Sequence, residues 1–177
     1  MARRHFSLTQ RILHWTMAVA ILAMLFIGVG MVSTLTKTYL GLVSIHRPLG
    51  ILILILAVVR LAVRMVRGAP PLPVDLPAPM KQAAFLSHIG LYALMFAMPL
   101  LGWAMLSAAS YPVTMWPGFA LPPIVAPSAR LHAILWDLHH YLAFAFFALI
   151  LAHLSAGLFH ALVRRDGVFE AMASSKQ

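Results

Sequence analysis

LHAILWDLHHYLAFAFFALILAHLSAGLFH, residues 131–160, holds five of the chain's nine histidines in an otherwise apolar run. The stretch reads as one long helix. At about 100° per residue, His139 and His153 are roughly 40° short of four full turns apart and share a face, about 21 Å apart along the axis. His132 and His160 extend that face by seven residues at either end. His140 lies about 140° from His153, nearly opposite. Two imidazoles on one face at two depths predict two stacked sites.

The rest of the composition says what surrounds those sites. Of 177 residues, 62% are hydrophobic and only 10% charged, with a mean hydropathy of +0.91, which is too apolar for a soluble domain and indicates an integral membrane protein. There is no cysteine, which excludes disulfides, thiolate metal sites, iron–sulfur clusters and covalent haem attachment through C-x-x-C-H. The net charge of +9 sits on residues that flank apolar runs, so the bilayer surface rather than nucleic acid is the expected partner.

Four runs are long enough to cross a bilayer: about 12–32, 46–66, 85–106 and 132–163. The first is too long for a signal-peptide core, contains His14 and lacks a clear A-x-A site, so it is expected to stay as a span, with Arg3 and Arg4 as its anchor. Residues 33–45 read as a short loop and 68–79 (GAPPLPVDLPAP) as an extended proline-rich linker. Pro99 predicts a kink in the third span. Residues 107–130, proline-rich yet apolar, read as a loop lying on the membrane interface. One side of the membrane receives Arg3, Arg4, Arg11, Arg60, Arg64, Arg67, Lys81, Arg164, Arg165 and Lys176, and the other receives Lys37, Arg47 and Arg130. This asymmetry predicts a single-domain, all-α integral membrane four-helix bundle, residues 1–177, with both termini cytoplasmic.

Orientation then assigns depths. His46 and His139 fall at the outer level; His14, His88 and His153 fall at the inner one. Ionisable residues in spans are costly and face the bundle interior, and neutral imidazole is a common axial ligand of haem iron. A bis-histidine haem needs two ligands at one depth on facing helices. His46 with His139 meets this outside, and His153 with His14 meets it inside. Gly28, fourteen residues after His14, leaves room for a flat porphyrin at the outer level, as does Gly50 one turn below His46. Arg60, fourteen after His46, is placed to pair with a haem propionate or a quinone oxygen, although Arg60, Arg64 and Arg67 can also snorkel to the surface. By spacing alone His88 competes with His14, because His88 stands to Gly102 as His14 stands to Gly28.

Other histidines have plainer readings. A lone membrane histidine commonly makes a helix–helix hydrogen bond. His5 is expected in solvent and His132 and His140 at the outer interface. His160 is either interfacial or part of a quinone pocket. Asp137 is expected to hydrogen-bond or to pair with Arg130. The eleven methionines are packing residues, and the scarcity of acids argues against metal transport.

QRILHW at 10–15, His46 with Gly50, Arg60 and Arg64, HIGLYALMFAMPLLGW at 88–103 and the His139–His153 pair together resemble the bacterial cytochrome b561 family over nearly the whole chain. A more distant similarity is to the cytochrome b subunits of nickel–iron hydrogenases and formate dehydrogenases. The resemblance implies two haem b groups with iron ligands on helices one, two and four. These would be His14 and His153 for the inner haem and His46 and His139 for the outer, leaving His88 structural or near a haem edge. It further implies a superoxide oxidase-like activity in a bacterial inner membrane, taking electrons from periplasmic superoxide and reducing ubiquinone in a pocket near the inner haem, with His160 at a matching position. The alternative is a haem-bearing anchor subunit relaying electrons between a dehydrogenase or hydrogenase and quinone. A third reading is a membrane protein without haem.

Overall fold

The computed structural model describes residues 5–173; the Arg3–Arg4 anchor and Lys176 lie outside them. Four long helices dominate: α1 (Leu8–Ser33), α2 (Lys37–Arg67), α3 (Ala78–Ala108) and α4 (Ala129–Phe159). Each is long and apolar enough to cross a membrane, the last together with the turn that continues it to Arg164. Large apolar side chains such as Phe26, Met65 and Phe144 point outward, as expected where lipid replaces water. The first three expected spans lie within these helices, and the fourth runs past the end of α4 into that turn.

Local chemistry sets the helix ends. Ser7 caps α1 in a reciprocal capping box, its hydroxyl accepting from the Gln10 N–H while the Gln10 side chain accepts from the Ser7 N–H. Gln10 also donates to the Gly68 carbonyl at 2.7 Å, so it ties α1 to the end of α2. The loop expected at 33–45 is much shorter. Thr36 caps α2, which therefore begins at Lys37. Thr and Tyr in that stretch tolerate helix once a cap and a packing surface exist, and the polar signal overstated the break. Gly68, at φ 69°, ends α2 and its N–H bonds the Arg64 carbonyl. The proline-rich linker follows as expected. Pro99 lies inside an α3 that runs through it.

The loop expected after α3 contains a small antiparallel hairpin, β1 (Val113–Trp116) and β2 (Phe119–Leu121), turning at Gly118 with φ 85°. The stacked Trp116 and Phe119 rings, 4.6 Å apart, close it. It packs beside α2 and α3, held by Arg47 donating to the Pro112 carbonyl at 3.3 Å and Trp103 to the Pro122 carbonyl at 2.9 Å. The opposite face carries both described ends. There a short helix, α5 (Val168–Ala173), folds back so that the Phe6 N–H bonds the Ala171 carbonyl at 3.0 Å.

Midway through the bundle, Met17, Ala57, Met95 and Phe146 form the buried core, one from each long helix. Phe146 is seven residues from both His139 and His153, so this apolar layer separates the two histidine levels. The backbones of α1 and α2 approach closely, as do those of α3 and α4, whereas α4 comes near α1 and α2 only sparsely. α2 and α3 also meet, so the gap runs between α4 and the α1–α2 pair.

Candidate haem centres

The histidines reach into that gap. His46 on α2 faces His139 on α4, with ring centres 6.3 Å apart. At the other level His14 on α1 faces His153 on α4, also at 6.3 Å. Two metal–nitrogen bonds of about 2 Å, with each nitrogen about 1.1 Å from its ring centre, put opposed imidazole centres about 6 Å apart. Both pairs match that spacing. The Nδ1 atoms of His46 and His139 are buried without a hydrogen-bond partner. Buried polar atoms are rarely left so, which fits rings positioned for a group other than protein.

His88 joins the second level. Its ring centre is 5.4 Å from that of His153, shorter than two axial bonds allow, and its Nδ1 lies 2.6 Å from the Ala84 carbonyl of its own helix. Spacing along the chain left His88 and His14 as competitors; the distances favour His14 opposite His153.

The glycines differ in what they do. A side chain at Gly28 would meet nothing within 4 Å, consistent with open space beside α1 at the hairpin-side level. At Gly50 a Cβ would meet only the flexible end of Met24, at 3.7 Å. Gly102, which spacing had related to His88, instead backs His139: a Cβ there would come within 3.4 Å of His139 Cε1. That contact crosses from α3 to α4 and has no signal in either helix alone.

Arg60 does not snorkel outward. Its Nε–H donates to the Tyr92 hydroxyl at 3.3 Å, while Nη1 is buried without a partner. Tyr92 follows His88 by four residues and so shares its face, a relation present in HIGLY but not singled out from sequence.

His160 lies where α4 gives way to a π-helical turn, His160–Arg164, rather than in a uniform helix through 163. The widened turn ends with Arg165 in the left-handed region at φ 52°. It lets Asp166 accept from His160 Nδ1 at 2.8 Å and from Arg164 Nε at 2.9 Å. Arg164 also reaches Asp75 in the linker at 2.8 Å. Burial raises the Asp166 carboxyl, but hydrogen bonds from His160, Arg164 and the Val168 N–H outweigh it and hold the group below its ordinary value. With Asp166 ionised, His160 Nδ1–H is the donor of that bond, which leaves Nε2 unengaged. His160 is thus half of a polar pair whose acid the sequence did not reveal.

The remaining expectations fare unevenly. His132 bonds the Met105 carbonyl at 3.0 Å and His140 the Trp136 carbonyl at 2.8 Å. Asp137 is exposed and makes no hydrogen bond or ion pair among the described residues, contrary to the pairing with Arg130.

A family model described as prokaryotic cytochrome b561 matches residues 5–175. The chain belongs to that family. It is 31% identical to cytochrome b561 homolog 1 of Escherichia coli (strain K12), covering 94% of this chain and 96% of the relative. With cytochrome b561 homolog 2 of the same organism it shares 28% identity over 90% of this chain and 86% of that protein. Membership implies haem b binding, and with four membrane-crossing helices it makes this a multi-pass bacterial membrane protein of electron transfer.

Proposed function

We propose that the chain holds two haem b groups, one between His46 and His139 and one between His14 and His153, and carries electrons from superoxide on the hairpin side to ubiquinone in the bilayer. The equal 6.3 Å spacing of the two imidazole pairs across one gap carries this reading. Bound haem supplies a one-electron couple at each level. The chain's own work is to place the imidazoles, exclude water with the layer around Phe146, and bias charge at each end.

On this reading the hairpin face is periplasmic and the face bearing both ends cytoplasmic, in keeping with the distribution of Lys and Arg. Lys37, Arg47 and Arg130 near the hairpin outnumber Asp137 and favour approach of an anion. Arg47 is fixed beside His46 by its bond to Pro112. Two superoxide anions give up one electron each and leave as dioxygen. Ubiquinone gains both electrons and takes two protons to become the quinol. His160 stands at the cytoplasmic end, held by Asp166 with Nε2 available, and would pass protons to the quinone from that side. The protein so placed belongs in the inner membrane.

Stopped-flow mixing of the oxidised, purified protein with superoxide, with and without ubiquinone, tests the reading. Fast haem reduction followed by quinol formation is expected. Reduction no faster than background, with no quinol, would remove superoxide as donor while leaving the haems in place. Efficient reduction only by a co-purified dehydrogenase or hydrogenase would select the anchor-subunit alternative.

A further inference from the structure

We propose that Arg60 and Tyr92 form a receptor for one carboxylate, and that its occupant is a propionate of the haem between His14 and His153. Arg60 sits in a membrane-crossing helix, in a cleft lined by Gln10, Leu13, Arg64 and Tyr92. Its partner Tyr92 stands one turn from His88, whose ring lies beside His153 at the same level. A guanidinium with a buried, unpartnered nitrogen is an expensive group unless an anion meets it.

Among the described residues no anion meets it. Of the chain's four acids, Asp75 and Asp166 are engaged by Arg164 and His160, and Asp137 is exposed near the hairpin. Glu170, on α5, has a buried and unpartnered Oε2 of its own, yet it makes no ion pair with Arg60. No described carboxylate meets Arg60 Nη1, which leaves the position open to an anion the polypeptide does not supply. Tyr92 adds direction. Its oxygen accepts from Arg60 Nε, so its own proton is free to donate, and no acceptor for it exists among the described residues. Arg60 Nη1 and the Tyr92 O–H thus supply two donors and one positive charge, a set suited to a carboxylate. A quinone carbonyl would accept the hydrogen bonds but leave the charge unbalanced.

This inference rests on haem lying between His14 and His153, and the test separates the two. Wild type, Arg60→Gln, Arg60→Lys and Tyr92→Phe are loaded with either haem b or its dimethyl ester, whose propionates cannot ionise. Loss of each haem to a scavenging apoprotein is then followed by absorbance. With natural haem, Arg60→Gln should speed one of two loss phases by about tenfold or more, and Tyr92→Phe should speed the same phase less. With the ester, the wild type should lose that haem as fast as Arg60→Gln does, and the substitution should add nothing. Equal acceleration with both haem forms, or none with either, overturns the proposal. Should Arg60→Gln fail to fold, Arg60→Lys and Tyr92→Phe carry the same comparison. Absence of any haem b signal would fail the underlying reading instead.

Discussion

His46 and His139 face each other from α2 and α4 with ring centres 6.3 Å apart, the same distance that separates His14 from His153 at the other level. The two pairs share no histidine, so the levels can be separated by substitution. Replacing His46 by alanine should halve the haem-to-protein ratio measured as the pyridine haemochrome, and the remaining haem should keep its own midpoint potential. Loss of both haems, or of neither, would count against the pairing.

His88 provides the complementary case. Its ring lies too close to His153 for the two to be opposed axial ligands, and its Nδ1 is engaged by the Ala84 carbonyl. His88→Leu should therefore retain full haem content, whereas His14→Leu should lose one haem. A His88 variant lacking a haem while the His14 variant keeps both would reverse the assignment.

Gly102 sets how closely α3 backs His139. A Cβ would stand 3.4 Å from the ring and further methyls would meet it directly. Gly102→Val should weaken the hairpin-side haem, seen as faster loss of that haem alone, and Gly102→Ala should do so less. Equal haem retention in Gly102→Val and wild type would mean that the ring does not depend on this contact.

Phe146, 6% exposed, fills the layer between the two levels. Phe146→Ala should destabilise the protein by about 3–5 kcal/mol, the usual cost of emptying an aromatic core position. The check is the midpoint of thermal unfolding in detergent. A shift no larger than that of a lipid-facing Phe144→Ala control would show the layer to be loosely packed.

Asp166 links acidity to the closing of the terminal face. Because its folded value is depressed, the stabilisation it contributes is complete above the ordinary value of 3.8 and is lost as pH falls through the depressed value. At neutral pH the wild type should unfold at a higher temperature than Asp166→Asn, and the difference should shrink as pH falls below 3.8. A difference unchanged down to that range would remove the carboxylate from the account.

Much of this was legible in the residues because the membrane simplifies the problem. Long apolar runs leave few alternatives to helices, and a fourteen-residue repeat of polar rings on one helix persists whatever its neighbours do. What escaped the sequence were relations between segments. The hairpin at 113–121 hid in an apolar proline-rich loop because its strands have only four and three residues and gain their order from α2 and α3. Asp166 was not matched to His160 because the π-helical turn, which brings them together, depends on how the chain leaves α4.

By itself the sequence determined that this is a four-helix membrane protein with histidines at two depths. Hydropathy and helical periodicity act within single segments and need no partner. Only the tertiary structure showed that the His14 ring stands 6.3 Å from that of His153 and the His88 ring 5.4 Å, that Gly102 backs His139, and that Arg60 turns inward to Tyr92. Each is a distance between helices, set by how side chains pack across the bundle, and no spacing along one helix contains it.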